Sequence, residues 1–188
     1  MFLEDIEMTF MEPCVAGPEH VRLFAQMSRD ISEVMPYLNT VIKNATYNKE
    51  TNTLCFTKEA RLIALYPEKV AVAKAYNPTD AWQVLDWIKD TINETHENRD
   101  TIQPNYQRRS GITALDLFEF LPRLNCRKCD ELTCLAFAVK LLMGERQIAE
   151  CKPLFEAENN RLKKVLLDLV SALGYKIPES YESIQDRV

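Results

Sequence analysis

One segment determines how the C-terminal part of the chain folds: Cys126-Arg-Lys-Cys129-Asp-Glu-Leu-Thr-Cys134, with Cys151 after sixteen further residues. Four of the six cysteines thus lie within 26 residues, in a segment without histidine. An iron–sulfur cluster requires converging thiolates, because each iron of a cubane takes one cysteine. The spacing therefore predicts that Cys126, Cys129, Cys134 and Cys151 are the metal and cofactor ligands of one cluster, most simply [4Fe–4S].

Zinc is the alternative that this spacing leaves open, because zinc sites with four cysteine ligands also begin with a C-x2-C pair. Zinc ribbons usually present two such pairs. Here the second half supplies Cys134 and Cys151 singly and far apart. The pattern favours a cluster and keeps zinc as the second interpretation.

A longer pattern surrounds these cysteines. It runs from Leu121-Pro-Arg-Leu-Asn-Cys126 through the helix-like Cys134-Leu-Ala-Phe-Ala-Val-Lys140 to Gly144-Glu145 and Cys151-Lys-Pro153. This pattern resembles the small [4Fe–4S] domain of the large subunit of the corrinoid iron–sulfur protein, and a similar domain in the B subunit of Rnf-type electron-transport complexes. The resemblance covers residues 112 to about 155 and leaves the N-terminal part unrecognised.

The resemblance implies that the four cysteines are the cluster ligands and that Thr133, Ala136, Phe137 and Ala138 pack its helix. It also implies passage of a low-potential electron to a corrinoid cofactor on a partner. One departure concerns the residues directly after the first two cysteines. Relatives usually carry glycine there, which permits unusual backbone angles, whereas this chain has Arg127 and Asp130.

The composition excludes several other classes of function. The chain has 188 residues, only four glycines and a net charge of −5. It lacks both the dinucleotide-binding and the phosphate-loop glycine motifs, and its acidity argues against a nucleic-acid partner. No apolar run is long enough to span a membrane, and the acidic N-terminus lacks the order of a secretory signal. We therefore expect a cytoplasmic protein, in which free thiols bind metals rather than form disulfides.

The N-terminal part predicts an α+β fold in which a small antiparallel sheet packs with helices. Apolar residues from Val21 to Leu38 recur at roughly helical spacing, and Pro36 should kink or divide that helix. Three β-rich runs follow at 53–57, 61–66 and 70–75, with a short hairpin link at 67–69. Asn77 then caps a helix in which Trp82 is expected to face the core.

Four segments follow from these patterns. Residues 1–98 form an α+β domain of unknown role, and 99–111, which contain Arg108, Arg109 and Gly111, form a linker. Residues 112–155 form a mainly helical cluster domain, and 156–188 a C-terminal helix and tail. The predicted helices start at Thr113, near Cys134 and after Pro153, and the last one stops at Gly174.

Together these features predict an electron-transfer protein that exchanges single electrons with a corrinoid protein or a flavoprotein, rather than an enzyme by itself. Two alternatives remain. In the first, a zinc ion or a cluster only stabilises the fold of a protein-interaction module. In the second, the cluster serves an active site in the N-terminal domain. Cys14 and Cys55 are expected to be buried packing residues. Arg123, Arg127 and Lys128 could form a basic docking rim around the cluster.

Overall fold

The computed structural model describes residues 1–15, 17–107, 112–173, 175 and 177–178. The chain divides into two compact units, Met1–Gly111 and Ile112–Val188, called here the N-terminal and C-terminal units. The predicted linker residues Arg108 to Gly111 and the predicted helix stop at Gly174 lie outside the described residues. The four-segment division therefore stays a prediction.

A six-stranded antiparallel sheet forms the N-terminal unit, in the order β1-β2-β6-β5-β4-β3. Its strands are β1 Ile6–Pro13, β2 Val21–Met27, β3 Thr46–Asn48, β4 Thr53–Lys58, β5 Arg61–Leu65 and β6 Lys69–Ala75. Two helices, α1 Met35–Val41 and α2 Pro78–Glu97, complete the unit. The predicted α+β class is confirmed, as are the three predicted strands β4, β5 and β6.

The core of this unit lies between the sheet and the two helices. Strand residues such as Leu23, Phe56 and Val72 pack with Leu38 of α1 and Ile88 of α2. Helix α2 begins as predicted, because the side chain of Asn77 accepts a hydrogen bond from the amide of Asp80 at 2.9 Å. Such a cap satisfies a backbone donor that has no partner within the helix.

The predicted helix between Val21 and Met35 is wrong, because residues 21–27 form the strand β2. Leu23, Ala25 and Met27 are buried in the core, and the residues between them point to the other face. This alternation has a period of two, which fits a strand with one face in the core. Pairing with β1 and β6 on both sides stabilises that choice.

Pro36 lies in the first turn of α1 and therefore begins a helix instead of dividing one. Proline is tolerated there because the first amides of a helix have no partner within it. The expectation for Trp82 is also wrong, since this residue is 50% exposed. The buried apolar positions of α2 are Ala81, Val84, Leu85, Ile88 and Ile92. Trp87, rather than Trp82, packs against the core from α2.

The C-terminal unit is mainly helical, as the sequence predicts. It contains α3 Ala114–Phe118, α4 Cys134–Leu142 and α5 Asn160–Ala172, with three 3-10 turns at Ile148–Glu150, Lys152–Phe155 and Ala157–Asn159. Gly144 follows α4 with a φ of +75°, a helix-ending conformation that suits glycine. Among the helices of the described residues, none is long and apolar enough to cross a membrane.

Candidate metal centre

The short helix α3 positions the start of the cysteine loop. Thr113 and Asp116 cap it reciprocally: the Thr113 hydroxyl accepts from the Asp116 amide, and the Asp116 carboxylate accepts from the Thr113 amide at 2.8 Å. Phe120 and Leu121 are buried directly after the helix. Pro122 then leads into a loop without regular structure, which carries the first two cysteines.

This loop has a left-handed backbone at four of its residues. The φ angles are +57° at Arg123, +48° at Asn125 and +60° at both Arg127 and Asp130. A residue with a Cβ atom is about 1–2 kcal/mol less stable in this conformation. Arg127 and Asp130 directly follow the first two cysteines, where the resemblance leads us to expect glycine. The loop therefore keeps the backbone that glycine permits, although both positions bear side chains.

Asn125 connects this loop to the third cysteine. Its side-chain oxygen accepts a hydrogen bond from the backbone amide of Cys134 at 2.8 Å. The backbone amide of Asn125 donates in turn to the Cys134 sulfur at 3.4 Å. Cys134 is the first residue of α4, and Thr133 caps that helix by accepting from the Ala136 amide at 3.0 Å. The loop and the helix thus hold the Cys134 thiol from two sides.

Cys151 reaches the same place between two 3-10 turns, and its side chain is buried. Burial raises the pKa of the Cys151 thiol to about 12. A hydrogen bond from the Leu154 backbone opposes this shift, and the nearby Cys129, Cys134 and Cys126 add to it. The isolated thiol is therefore protonated at neutral pH and has to lose its proton when it binds a metal.

All four cysteines line one cavity, together with Leu124, Asn125, Phe137, Pro153 and other residues. Cys126 is exposed, Cys129 is half-buried, and Cys134 and Cys151 are buried, so the cavity opens to solvent beside Cys126. The structure thus brings together the four residues that the spacing predicts as ligands. In the part of the chain that the structure describes, no three His, Cys, Asp or Glu side chains are arranged to hold a single metal ion.

A cluster of charged side chains connects the cysteine loop to the segment that leads to Cys151. The Glu131 side chain is only 7% exposed and contacts Lys140 and Arg146, each at 2.8 Å. Arg146 also binds Glu150, one residue before Cys151, at 3.0 Å. The hydrogen bond from Lys140 lowers the pKa of the Glu131 carboxyl, and Arg146 adds to this effect.

Sequence reasoning missed the roles of Asn125 and Glu131. A signal existed for Asn125, because an asparagine directly before a cysteine can bond to nearby backbone amides. The partners of Glu131 lie nine and fifteen residues further along the chain, so no local pattern predicts them. Cys14 and Cys55, in contrast, are both buried in the N-terminal unit as expected.

The N-terminal unit carries a separate open depression, lined by charged side chains and by Phe2. His96 stacks on Phe2 with ring centroids 4.0 Å apart, and its Nε2 atom lies 3.6 Å from Glu33. The Arg29 guanidinium lies over the Phe2 ring at 5.0 Å, and Arg99 contacts His96. The charged side chains at this depression are thus of both signs, and His96 contacts one of each sign, Glu33 and Arg99. An active site in this unit stays a hypothesis.

Comparison with known proteins identifies the cysteine segment. Residues 121–153 match a family model described as "Putative Fe-S cluster". The chain is 36% identical over 64 residues to the gamma subunit of the acetyl-CoA decarbonylase/synthase complex of Methanothermobacter thermautotrophicus, covering 34% of this chain and 14% of the relative. It is 40% identical over 60 residues to the same subunit of Methanocaldococcus jannaschii, covering 32% of this chain and 12% of the relative.

The gamma 2 subunit of Methanosarcina thermophila is 34% identical over 73 residues, which is 39% of this chain and 15% of that relative. The chain therefore spans only a small part of the length of the curated relatives it matches. No solved structure matches it. The family model leaves the N-terminal unit unidentified and supports an iron–sulfur cofactor in the C-terminal unit. The segment from Leu121 to Pro153 is therefore similar to the iron–sulfur cluster domains that this family model describes.

Proposed function

We propose that this protein binds one [4Fe–4S] cluster through Cys126, Cys129, Cys134 and Cys151 and transfers single electrons to or from a partner protein. The observation that carries the proposal is the cavity that all four thiols line within the matched family segment. In a cubane each cysteine binds a different iron, so a cluster requires thiols around a cavity rather than around one point.

The residues around the cavity suit such a group. Leu124, Phe137 and Pro153 supply apolar walls, and burial of Cys134 and Cys151 keeps water from one side. The Asn125 amide donates to the Cys134 sulfur, and hydrogen bonds to cluster sulfurs favour the more negative, reduced state. When bound, the cluster supplies a reversible change of one electron.

The nature of the partner rests on the relatives. Those reported above are named as subunits of the acetyl-CoA decarbonylase/synthase complex. The resemblance to the corrinoid iron–sulfur protein points to a corrinoid protein, and a flavoprotein is the other choice. The chain covers only a small share of these relatives, so the role of its N-terminal unit does not follow from them.

Anaerobic reconstitution with iron and sulfide, followed by analysis of iron, sulfide and zinc, tests the ligand set. We expect Cys129→Ser to lose most of the bound iron, and Cys55→Ser, a buried cysteine of the N-terminal unit, to retain it. The zinc alternative predicts a colourless protein that holds zinc and no sulfide. A Cys129→Ser protein with the full iron and sulfide content would overturn the proposed ligands.

A further inference from the structure

An apolar stripe follows the outer side of α4. It consists of Leu132, Leu135, Val139 and Met143, which are 71%, 38%, 37% and 67% exposed. The spacing of four residues places Leu135, Val139 and Met143 along one face of α4, and Leu132 directly precedes the cap residue Thr133. We call these four residues the outer stripe.

The opposite side of the same helix is also apolar. Cys134, Phe137, Ala138 and Leu141 face the interior and are buried. Lys140 is the one charged residue between Cys134 and Leu142, and it is bound to Glu131. A helix that is apolar all round is normally covered on both sides, and a contiguous exposed apolar patch marks a site of protein association.

The outer stripe adjoins the cysteine cavity. Leu132 lies in the sequence between Cys129 and Cys134, and Leu135 directly follows Cys134. Leu124 lines the cavity and is 58% exposed, next to the exposed Cys126. A protein that covers the stripe would therefore come to rest against the open edge of the cavity.

The charge around this edge is opposite to that of the chain. Arg123, Arg127 and Lys128 are exposed on the cysteine loop. Asp130 and Glu156 are the exposed carboxylates there, and Glu156 lies 3.5 Å from Lys128. Glu131 is buried and held by Lys140 and Arg146. The three cations therefore outnumber the exposed carboxylates by one. The chain as a whole carries a net charge of −5. At close approach, where the local charges outweigh the net charge of the chain, this rim attracts an acidic partner and repels a basic one.

We propose that the outer stripe and this basic rim form the docking surface for an acidic one-electron carrier protein. The proposal rests on the proposed function and adds the partner's charge and the surface it meets. In the reaction, the carrier is oxidised by one electron and the cluster is reduced by one, and no atom is transferred. Other occupants of the stripe, a second copy of this chain or its own N-terminal unit, are outcomes of the test.

The test uses the reconstituted full chain. A reduced acidic ferredoxin is the electron donor, and cytochrome c, a basic protein, is the electron acceptor of opposite charge. Rates come from stopped-flow absorbance, and affinity for ferredoxin is measured separately by calorimetry. The double variant Val139→Gln/Met143→Gln alters the stripe, with Trp82→Gln as a control of similar exposure on the N-terminal unit. Lys128→Glu alters the rim, with Lys43→Glu as its control.

We expect each altered surface to lower both the ferredoxin rate at low salt and the affinity by about tenfold, and the controls to change neither. Salt should slow the reaction with ferredoxin and accelerate that with cytochrome c. Reduction by dithionite should be equal in all variants, which shows that the cluster itself is intact.

Several results would overturn the proposal. With an intact, dithionite-reducible cluster, ferredoxin rates and affinities that are insensitive to both surfaces refute the docking surface alone. Absence of transfer from ferredoxin refutes the acidic partner. If the wild type is a dimer and the stripe variant is a monomer, the stripe binds a second copy of this chain. If the N-terminal unit of the stripe variant unfolds at a lower temperature, the stripe is covered by the chain's own N-terminal unit. Absence of any cluster refutes the proposed function and this proposal together.

Discussion

Asn125 and Cys134 are joined by two reciprocal hydrogen bonds. The backbone amide of Cys134 donates to the side-chain oxygen of Asn125 at 2.8 Å, and the backbone amide of Asn125 donates to the Cys134 sulfur at 3.4 Å. One bond fixes the entry of α4 and the other contacts a proposed cluster ligand. The pair therefore links the backbone of the cysteine loop to the environment of the metal.

We expect Asn125→Ala to weaken this link. The variant loses the bond to the Cys134 amide, which is worth about 1 kcal/mol of stability, and the loop becomes less well fixed. The reconstituted variant should release iron to a chelator several times faster than the wild type. Asn98→Ala, which removes a side-chain bond to the Glu94 carbonyl at the end of α2, is the control. Equal rates of iron release in Asn125→Ala and wild type would refute the role of Asn125.

Arg127→Gly and Asp130→Gly should each stabilise the C-terminal unit. Both residues have a φ of +60°. Relief of the left-handed strain, about 1–2 kcal/mol, exceeds the extra entropy that glycine adds to the unfolded chain, about 0.5–1 kcal/mol. We expect a net gain of roughly 0.5–1 kcal/mol each, measured by thermal unfolding of the reconstituted protein.

Lys128→Gly is the matched control, because this exposed residue lies in the same loop without a positive φ. It should destabilise the unit slightly or leave it unchanged. An equal gain at all three positions would show that loop flexibility, rather than backbone strain, explains the effect.

Glu131→Gln should lower the unfolding temperature of the C-terminal unit. The substitution removes the negative charge that Lys140 and Arg146 share, and it loosens the tie between the cysteine loop and the segment before Cys151. Glu158→Gln, an exposed carboxylate in the same unit, is the control. The account is wrong on this point if both variants unfold at the wild-type temperature.

The local signals in the sequence predict much of the fold, whereas contacts between distant residues escape it. Strands β4 to β6 and the Asn77 cap follow from β-rich composition and turn chemistry that operate within a few residues. The pattern of strand β2 predicts a helix instead, because Val21, Phe24 and Ala25 recur at helical spacing while Leu23, Ala25 and Met27 alternate as in a strand. Pairing with β1, and with β6 about 50 residues away, decides for the strand. The grouping of the four cysteines in one cavity follows from their spacing, and their role as ligands stays a prediction.

The pH dependence of the N-terminal unit should depend on Asp80. Arg61 donates to both of its carboxylate oxygens, at 2.9 and 2.6 Å, and the Tyr76 amide donates at 2.8 Å. The hydrogen bond from Arg61 is the main cause of the lowered pKa of the Asp80 carboxyl. A lowered folded-state pKa means that the ionised group stabilises the fold above its ordinary, unfolded pKa and loses this effect as pH falls through the folded value.

At pH 7 we expect Asp80→Asn to lower the free energy of unfolding by about 2 kcal/mol, the range for hydrogen bonds to charged groups. The difference from wild type should persist down to the ordinary carboxyl pKa and shrink below it. Urea unfolding at a series of pH values measures this. Asp90→Asn, at an exposed position of α2, should change little, and a constant Asp80→Asn difference down to pH 2 would contradict the assignment.

Electron paramagnetic resonance of the anaerobically reconstituted, dithionite-reduced protein tests the central claim most directly. A single [4Fe–4S] cluster held by Cys126, Cys129, Cys134 and Cys151 predicts a signal of about one spin per chain that disappears on oxidation. The same preparation should contain iron and sulfide in equal amounts and little zinc. A colourless chain that is fully loaded with zinc and gives no paramagnetic resonance signal after reduction would contradict the account.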